Sequence, residues 1–202
     1  MTTKEKLLAL LEDSKGTFFS GEEIARTLQV SRAAVWKAVS ALREDGYTID
    51  AATNKGYRLS PDSDILSPQG IRRFLKPEYR DLDLTVLPTA PSTNALVREK
   101  ANQGCPEGCV IVACEQTDGR GRYGRQFFSP VDSGVYLSLL LRPTAYSPQQ
   151  ATCLTAAAAA AMCQAIEAVT GQQPGIKWVN DIFLHGKKVC GILTEAAVGL
   201  ET

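Results

Sequence analysis

Histidine is nearly missing from this 202-residue chain: His185, in the turn Leu184-His-Gly-Lys187, is the only one. Dyads and triads that need an imidazole base therefore have no support. The six cysteines (105, 109, 114, 153, 163 and 190) contain no C-x-x-C pair, so a Cys/His metal site is not supported either. No secretory leader is evident, and a disulfide framework would be out of place without one. The cysteines are read as reduced and mostly buried, with Cys105 and Cys109 nearer the surface. Net charge is missing too: 22 basic residues balance 22 acidic ones. No global field draws the chain to nucleic acid or membrane, so such binding must come from a local patch. No apolar stretch reaches spanning length uninterrupted, and Met1-Thr-Thr-Lys-Glu-Lys6 lacks the apolar core of a signal peptide. The expectation is a cytoplasmic protein with no membrane partner and no protein-bound metal. With 44% hydrophobic and 22% charged residues it can bury a real core.

What the chain does have is Gly119-Arg-Gly-Arg-Tyr-Gly-Arg125, with three arginines and three glycines in seven residues. Such a run makes neither a good helix nor a good strand, and its glycines predict a mobile loop until a partner orders it. It offers unobstructed backbone N–H groups and guanidinium forks suited to carboxylate or phosphate. Val110-Ile-Val-Ala-Cys-Glu115 precedes it and Tyr136-Leu-Ser-Leu-Leu-Leu141 follows it. A loop between two buried strands is where sites are built.

Residues 1–60 form a self-contained pattern, expected as one domain. Leu7, Leu8, Leu10 and Leu11 predict a first helix ending near Gly16. Ser20 followed by Glu23 reads as a capping box for a second helix reaching about Leu28. Gln29-Val30 makes a tight turn, and Ser31 caps a third helix running from Arg32 to Asp45 and stopped by Gly46. That is a helix-turn-helix over about 21–40. Ala34, Val35, Ala38, Val39 and Leu42 point inward at helical spacing. Ser31, Arg32, Ala33, Trp36, Lys37 and Ser40 are left for a DNA major groove and its phosphates. Tyr47–Asp50 and Gly56–Leu59 flank a turn at Thr53-Asn-Lys, a β-hairpin wing carrying Lys55 and Arg58. Protein docking by the same module is the competing use.

Residues 61–67 read as a linker in composition, and 68–202 as the second domain. There the pattern gives a short helix (69–75), a strand (82–87), a helix from Ser92 to Gly104, and strands at 110–114 and 135–141. A long helix runs from Ser147-Pro148 to Gly171, and strands follow at 176–179, 182–184 and 188–194. The class is α+β, with a mixed sheet.

Four pieces of this body stand out together: Ser92-Thr93-Asn94 at a helix start, Gln116 before the arginine-glycine loop, Lys177-Trp-Val-Asn-Asp181, and Lys188-Val-Cys-Gly-Ile-Leu-Thr-Glu195. Singly, each has a plain reading as a cap, an edge charge, a turn or a strand bulge. In this order, and with Phe127-Phe-Ser-Pro130 after the loop, they resemble the biotin protein ligases. With a winged helix in front, the chain is similar to the bifunctional ligase-repressors of that family. The resemblance covers about Ser20 to Glu195. A lipoate ligase has a related body but does not normally carry this motif pair or the winged helix.

The resemblance implies a catalytic domain like those of biotin ligases and class II aminoacyl-tRNA synthetases. It implies biotin and ATP with Mg²⁺ as substrates, and biotinyl-5′-AMP as intermediate and corepressor. The partners it implies are the biotin-accepting carrier domain of a carboxylase, operator DNA, and a second copy in a ligand-dependent homodimer. Ser92, Thr93, Asn94 and Gln116 would line the biotin pocket. Arg120, Gly121 and Arg122 would fold over biotin and phosphate, with Arg125 supporting the loop. Lys177 would stand with Arg122 at the reacting carboxylate and α-phosphate, and Lys188 is a weaker candidate for the same neighbourhood. Family members continue with further strands and a small β-barrel, so the catalytic domain is expected to be incomplete at its C-terminal side. The alternative is a DNA-binding regulator that binds biotin or its adenylate without ligation.

Overall fold

The computed structural model describes residues 1–131, 133–143 and 151–196, with the backbone alone at 151–152. Two compact units divide between Val86 and Leu87.

The first unit opens with α1 (Thr3–Asp13), which carries a full capping box that the sequence reading passed over. Glu5 N–H donates to Thr2 Oγ1 at 3.3 Å, and Thr2 N–H donates to Glu5 Oε2 at 2.7 Å. At α2 (Gly21–Leu28) Ser20 Oγ accepts from Glu23 N–H at 3.0 Å, which is one half of the box expected there. Gln29 turns the chain at φ 55°, and Ser31 caps α3 (Arg32–Glu44). Leu7, Leu11, Ile24, Val35, Val39, Leu42 and Leu59 are essentially sealed from solvent and form one core. Burying each such side chain contributes about 1.5–3 kcal/mol, so the three helices are held by packing rather than by propensity. Ala34, expected inward, is only half-buried.

The wing is β1 (Ile49–Ala52) against β2 (Gly56–Leu59), antiparallel with Ile49 opposite Leu59. Phe19 adds a bridge to Tyr57. That approach explains Gly56, whose φ is +95° and whose Cβ would lie 2.0 Å from the Phe19 carbonyl oxygen. Beyond the wing, Ser67 caps α4 (Pro68–Arg72), which packs on α1, and a 3₁₀ turn follows at Pro77–Tyr79. Glu12 is buried beneath α4, with Arg73 3.9 Å from its carboxylate. Burial pushes the nearby Tyr47 phenol above its ordinary range.

β3 (Leu84–Leu87) carries the chain into the second unit. There α5 (Thr93–Asn102) packs on β4 (Val110–Ala113) and β5 (Tyr136–Leu139), which pair antiparallel with Ile111 opposite Ser138. A parallel bridge from Ala90 to Gln116 makes the pairing mixed, as expected. The later strands form a separate sheet in the order β6 (Gly175–Lys177), β7 (Asp181–Leu184), β8 (Lys187–Gly191). His185 and Gly186, at φ 50° and 74°, close the β7–β8 hairpin as a two-residue turn of the kind that matches strand twist.

The long helix α6 (Ala151–Thr170) lies against β6 and β7. Its expected start at Ser147-Pro148 falls outside the described residues, as do 197–202. Residues Cys153–Thr170, with mean hydropathy 1.4, are long and apolar enough to cross a membrane by length and composition, which corrects the expectation that no stretch is. The alanine run produces this, because alanine scores as apolar while burying little area.

The cysteine expectation also needs correction. Cys109 is buried, Cys153 is exposed, and the other four are half-buried. Cys109 directly precedes β4, whereas Cys153 is exposed on α6.

Candidate functional site

Two hydrogen-bonded groups build the candidate site in the second unit. The first is a polar chain through the N-terminus of α5. Thr93 N–H and Thr93 Oγ1 both donate to Gln116 Oε1, at 2.9 and 3.1 Å. Gln116 Nε2 donates to Ser129 Oγ at 3.1 Å, and Ser129 Oγ donates to Phe127 O at 3.0 Å. From the other side Ser138 Oγ reaches Thr93 Oγ1 at 2.8 Å and also hydrogen-bonds Asn94 Oδ1. Asn94 Nδ2 donates to Glu195 Oε2 at 3.0 Å and to Leu193 O at 3.4 Å. Ser92, Thr93, Ser129 and Ser138 are buried, so their mutual satisfaction fixes their directions. Ser92 itself serves as the N-cap of α5, with Oγ accepting from Ala95 N–H at 3.4 Å.

Gly119 is where the loop departs, and a Cβ there would sit 2.4 Å from Phe127 O and 2.6 Å from Ser129 Oγ. Only glycine lets the backbone pass so near the Gln116–Ser129 pair. The loop is more regular than its composition suggests. Arg120 bridges Gln126, Gly121 N–H donates to Arg125 O at 2.7 Å, and Arg122–Gly124 form a 3₁₀ turn with Tyr123 at φ 59°. Arg120 pairs with Asp118 at 2.8 Å, and hydrogen bonding to that carboxylate raises its already high pKa. Arg125 contributes backbone contacts to the turn, and its side chain is exposed.

The second group lies on one face of the β6-β7-β8 sheet. Cross-strand partners Lys177, Asp181 and Gly191 share that face. Arg122 Nη1 donates to Asn180 Oδ1 at 3.1 Å, and its guanidinium stacks 5.1 Å from the Tyr123 ring. Asn180 Nδ2 donates to Asp181 Oδ1 at 3.0 Å, and Lys188 Nζ sits 2.8 Å from the same oxygen. Lys188 also lies over Phe127, and Gly191 leaves room for it, since a Cβ there would be 3.0 Å from its Nζ. Lys177 stands apart over the Phe183 ring at 5.7 Å and, among the described residues, meets no carboxylate at ion-pair distance. Trp178, next to it, is largely exposed.

So Ser92, Thr93, Asn94 and Gln116 come together, Arg122 and Lys188 come together through Asn180 and Asp181, and Lys177 lies on the same strand face. The sequence reading missed Ser129, Ser138 and Gly119 as site residues, and it quoted Asn180 and Asp181 without assigning them a part. A signal for Ser138 was present, because it is the one polar residue in Leu137-Ser-Leu-Leu-Leu141.

In the first unit Ser31, Arg32, Ala33, Trp36 and Lys37 form one exposed face of α3, with Ser40 half-buried beside them. On the wing Lys55 is exposed, 5.9 Å from the Phe18 ring. Arg58 is turned inward: it donates to Asp50 at 2.8 Å and stacks on the same ring at 4.7 Å.

A helix-turn-helix unit ahead of an α+β unit with an arginine-glycine loop is a defined combination. The chain belongs to the biotin/lipoate A/B protein ligase family, whose model matches residues 86–200, and an HTH domain model matches residues 3–58. It is similar to the bifunctional ligase/repressor BirA of Bacillus spizizenii, 43% identical over 194 residues, covering 96% of this chain and 59% of that protein. It is similar as well to BirA of Escherichia coli, 33% identical, covering 96% of this chain and 58% of that protein. The chain thus spans less than two thirds of the length of these relatives. A solved structure of biotin protein ligase from Aquifex aeolicus in complex with biotin and ATP covers 57% of this chain and 47% of its own, at 31% identity and a TM-score of 0.49.

Proposed function

We propose that this chain is the greater part of a cytoplasmic biotin protein ligase that doubles as a biotin-responsive repressor. The observation that carries the reading is the joining of the arginine-glycine loop to the second sheet by Arg122 and Asn180, with the Thr93–Gln116 pair linked to the same sheet through Ser129, Phe127 and Lys188. A carboxylated substrate held at Thr93 and Gln116 then has cations on its far side. In the first step a biotin carboxylate oxygen attacks the α-phosphorus of ATP, and pyrophosphate leaves. In the second, the lysine amine of a carrier domain attacks the acyl carbon, and AMP leaves. No enzyme nucleophile takes part, so catalysis is positioning plus charge stabilisation.

Ser92, Thr93, Asn94 and Gln116 orient biotin. Arg120, Gly121 and Arg122 close over the adenylate, with Arg125 in support. Lys177 and Lys188 offset the charge that develops on the phosphate. Mg²⁺ neutralises ATP phosphates when it accompanies them. Asp118 and Asp181, the carboxylates beside the loop, are already paired with cations, so the ion fits a site on the nucleotide better than a protein donor set.

Residues 1–60 act as the DNA-binding domain, 61–67 as the connection, and 68–202 as part of the catalytic domain. Biotinyl-5′-AMP serves as corepressor by ordering the loop and favouring a homodimer that binds a two-fold operator. The deciding experiment is pyrophosphate release by the 202-residue chain given biotin, ATP and Mg²⁺. Release dependent on biotin supports ligation. Biotin binding without release assigns the chain to regulation alone.

A further inference from the structure

We propose that Cys163 and Cys190 form an oxidisable dithiol that locks α6 to β8. Lys177, Asp181 and Gly191 occupy one side of the sheet, and Cys190 lies on the other. In the register, Cys190 lies opposite Ile182, whose side chain is fully buried on the α6 side. Just beyond β8, Thr194 Oγ1 meets Thr155 Oγ1 of α6 at 2.7 Å, so the chain leaving the strand lies against the helix. On α6, Thr155, Ala159 and Cys163 are spaced by four and make one ridge, of which Thr155 and Ala159 are buried.

The directions also agree. α6 joins β6 through a short connection and runs antiparallel to it, and two antiparallel pairings then make β8 antiparallel to α6. From the Thr155–Thr194 contact, eight residues along the helix cover about 12 Å. Four residues back along the chain from Thr194, the last steps in β8, span at most about 14 Å. Both paths arrive at a cysteine. Burial raises the Cys190 pKa, Lys188 opposes, and Cys163 adds to the rise.

The oxidant is hydrogen peroxide. One thiolate attacks a peroxide oxygen, becoming a sulfenic acid as hydroxide leaves and takes up a proton to give the first water. The second thiol attacks that sulfur, forming the S–S bond and releasing the second water. The peroxide gains two electrons and the thiols lose two. The bond falls between Lys188 and Gly191 on β8, so closing it fixes the strand that carries Lys188. This chemistry does not depend on the proposed ligase reaction.

The test treats the full chain with hydrogen peroxide, alkylates remaining thiols, and maps peptides without reduction. The expected result is a Cys163–Cys190 linked peptide, loss of those two alkylatable thiols, and recovery of both with dithiothreitol. The exposed Cys153 serves as an internal gauge. Cys163 and Cys190 still alkylatable when Cys153 is oxidised would overturn the proposal, as would a link from either to another cysteine. In Cys163→Ser, Cys190 is expected to stay alkylatable under the same treatment. Its loss at the wild-type rate would show that it reacts without this partner.

Discussion

Arg122 leaves its own loop to hydrogen-bond Asn180, 58 residues later, with Nη1 donating to Oδ1 at 3.1 Å. Asn180 in turn holds Asp181, and Lys188 holds the same carboxylate oxygen. Loop and sheet are therefore one mechanical unit, and a change at either end reaches the other.

Replacing Arg122 by glycine removes that tie together with the guanidinium proposed to face the adenylate. A hydrogen bond to a charged group contributes about 1.5–3 kcal/mol, so biotinyl-AMP is expected to escape roughly 10- to 100-fold faster. Ligand-dependent dimerisation is expected to weaken in step. Dissociation of labelled adenylate measures the first effect and sedimentation the second. Unchanged retention would remove Arg122 from the clamp.

The two lysines can be told apart. Loss of one preorganised charge contact at a transition state costs about 10²- to 10³-fold in rate, so Lys177→Ala is expected to lower pyrophosphate release by about that factor. Among the described residues the Lys177 ammonium faces only the Phe183 ring, so adenylate escape is expected to change little in that variant. Lys188→Ala frees Asp181 and with it Asn180, so it is expected to slow adenylation and also to speed escape. Rapid-quench pyrophosphate assays and adenylate dissociation, run on both variants, separate the two patterns. Near-normal turnover in Lys177→Ala would sink its assignment.

The helices and wing of residues 1–60 were legible in outline, because caps, periodicity and turn residues are local signals. Ser20, Ser31 and Gly46 mark the helix ends as read. The capping box at Thr2 and Glu5 was equally local and was overlooked. The site was legible only as fragments. Nothing in the spacing of Asn180 from Arg122, or of Ser138 from Thr93, announces a hydrogen bond, since those distances are set by how two sheets and α5 pack. Burial of the cysteines misled for a related reason: a thiol's exposure depends on which face of α6 or β4 it occupies, and composition is silent on that. Arg58 was read as a free wing cation, but its cross-strand neighbour Asp50 takes it.

That ion pair sharpens the DNA expectation. Lys37 projects from α3 without such a partner among the described residues, and Trp36 is 61% exposed beside it. Lys37→Ala is expected to weaken operator binding and to reduce the salt slope by about 1, as for loss of one phosphate contact. Trp36→Ala is expected to weaken operator binding with the slope retained, because the indole carries no charge. Titrations at several salt concentrations check both. A slope unchanged by Lys37→Ala would place that residue off the phosphates.

The wing supplies a stability test with a built-in control. Gly46 and Gly56 have nearly the same φ, +94° and +95°, so alanine carries a similar left-handed strain at each, about 1–2 kcal/mol. At Gly46 the new Cβ would meet only Ile65 Cδ1 at 3.5 Å, an ordinary contact. At Gly56 it would meet the Phe19 carbonyl at 2.0 Å and Ser20 Cα at 2.6 Å, and backbone cannot swing aside as a side chain can. The Phe19–Tyr57 bridge must part, adding about 1–3 kcal/mol beyond the strain. Gly56→Ala is thus expected to unfold the first unit at lower urea than Gly46→Ala and to weaken operator binding by shifting Lys55. Equal midpoints for the two variants would mean that Phe19 does not hold the wing as described.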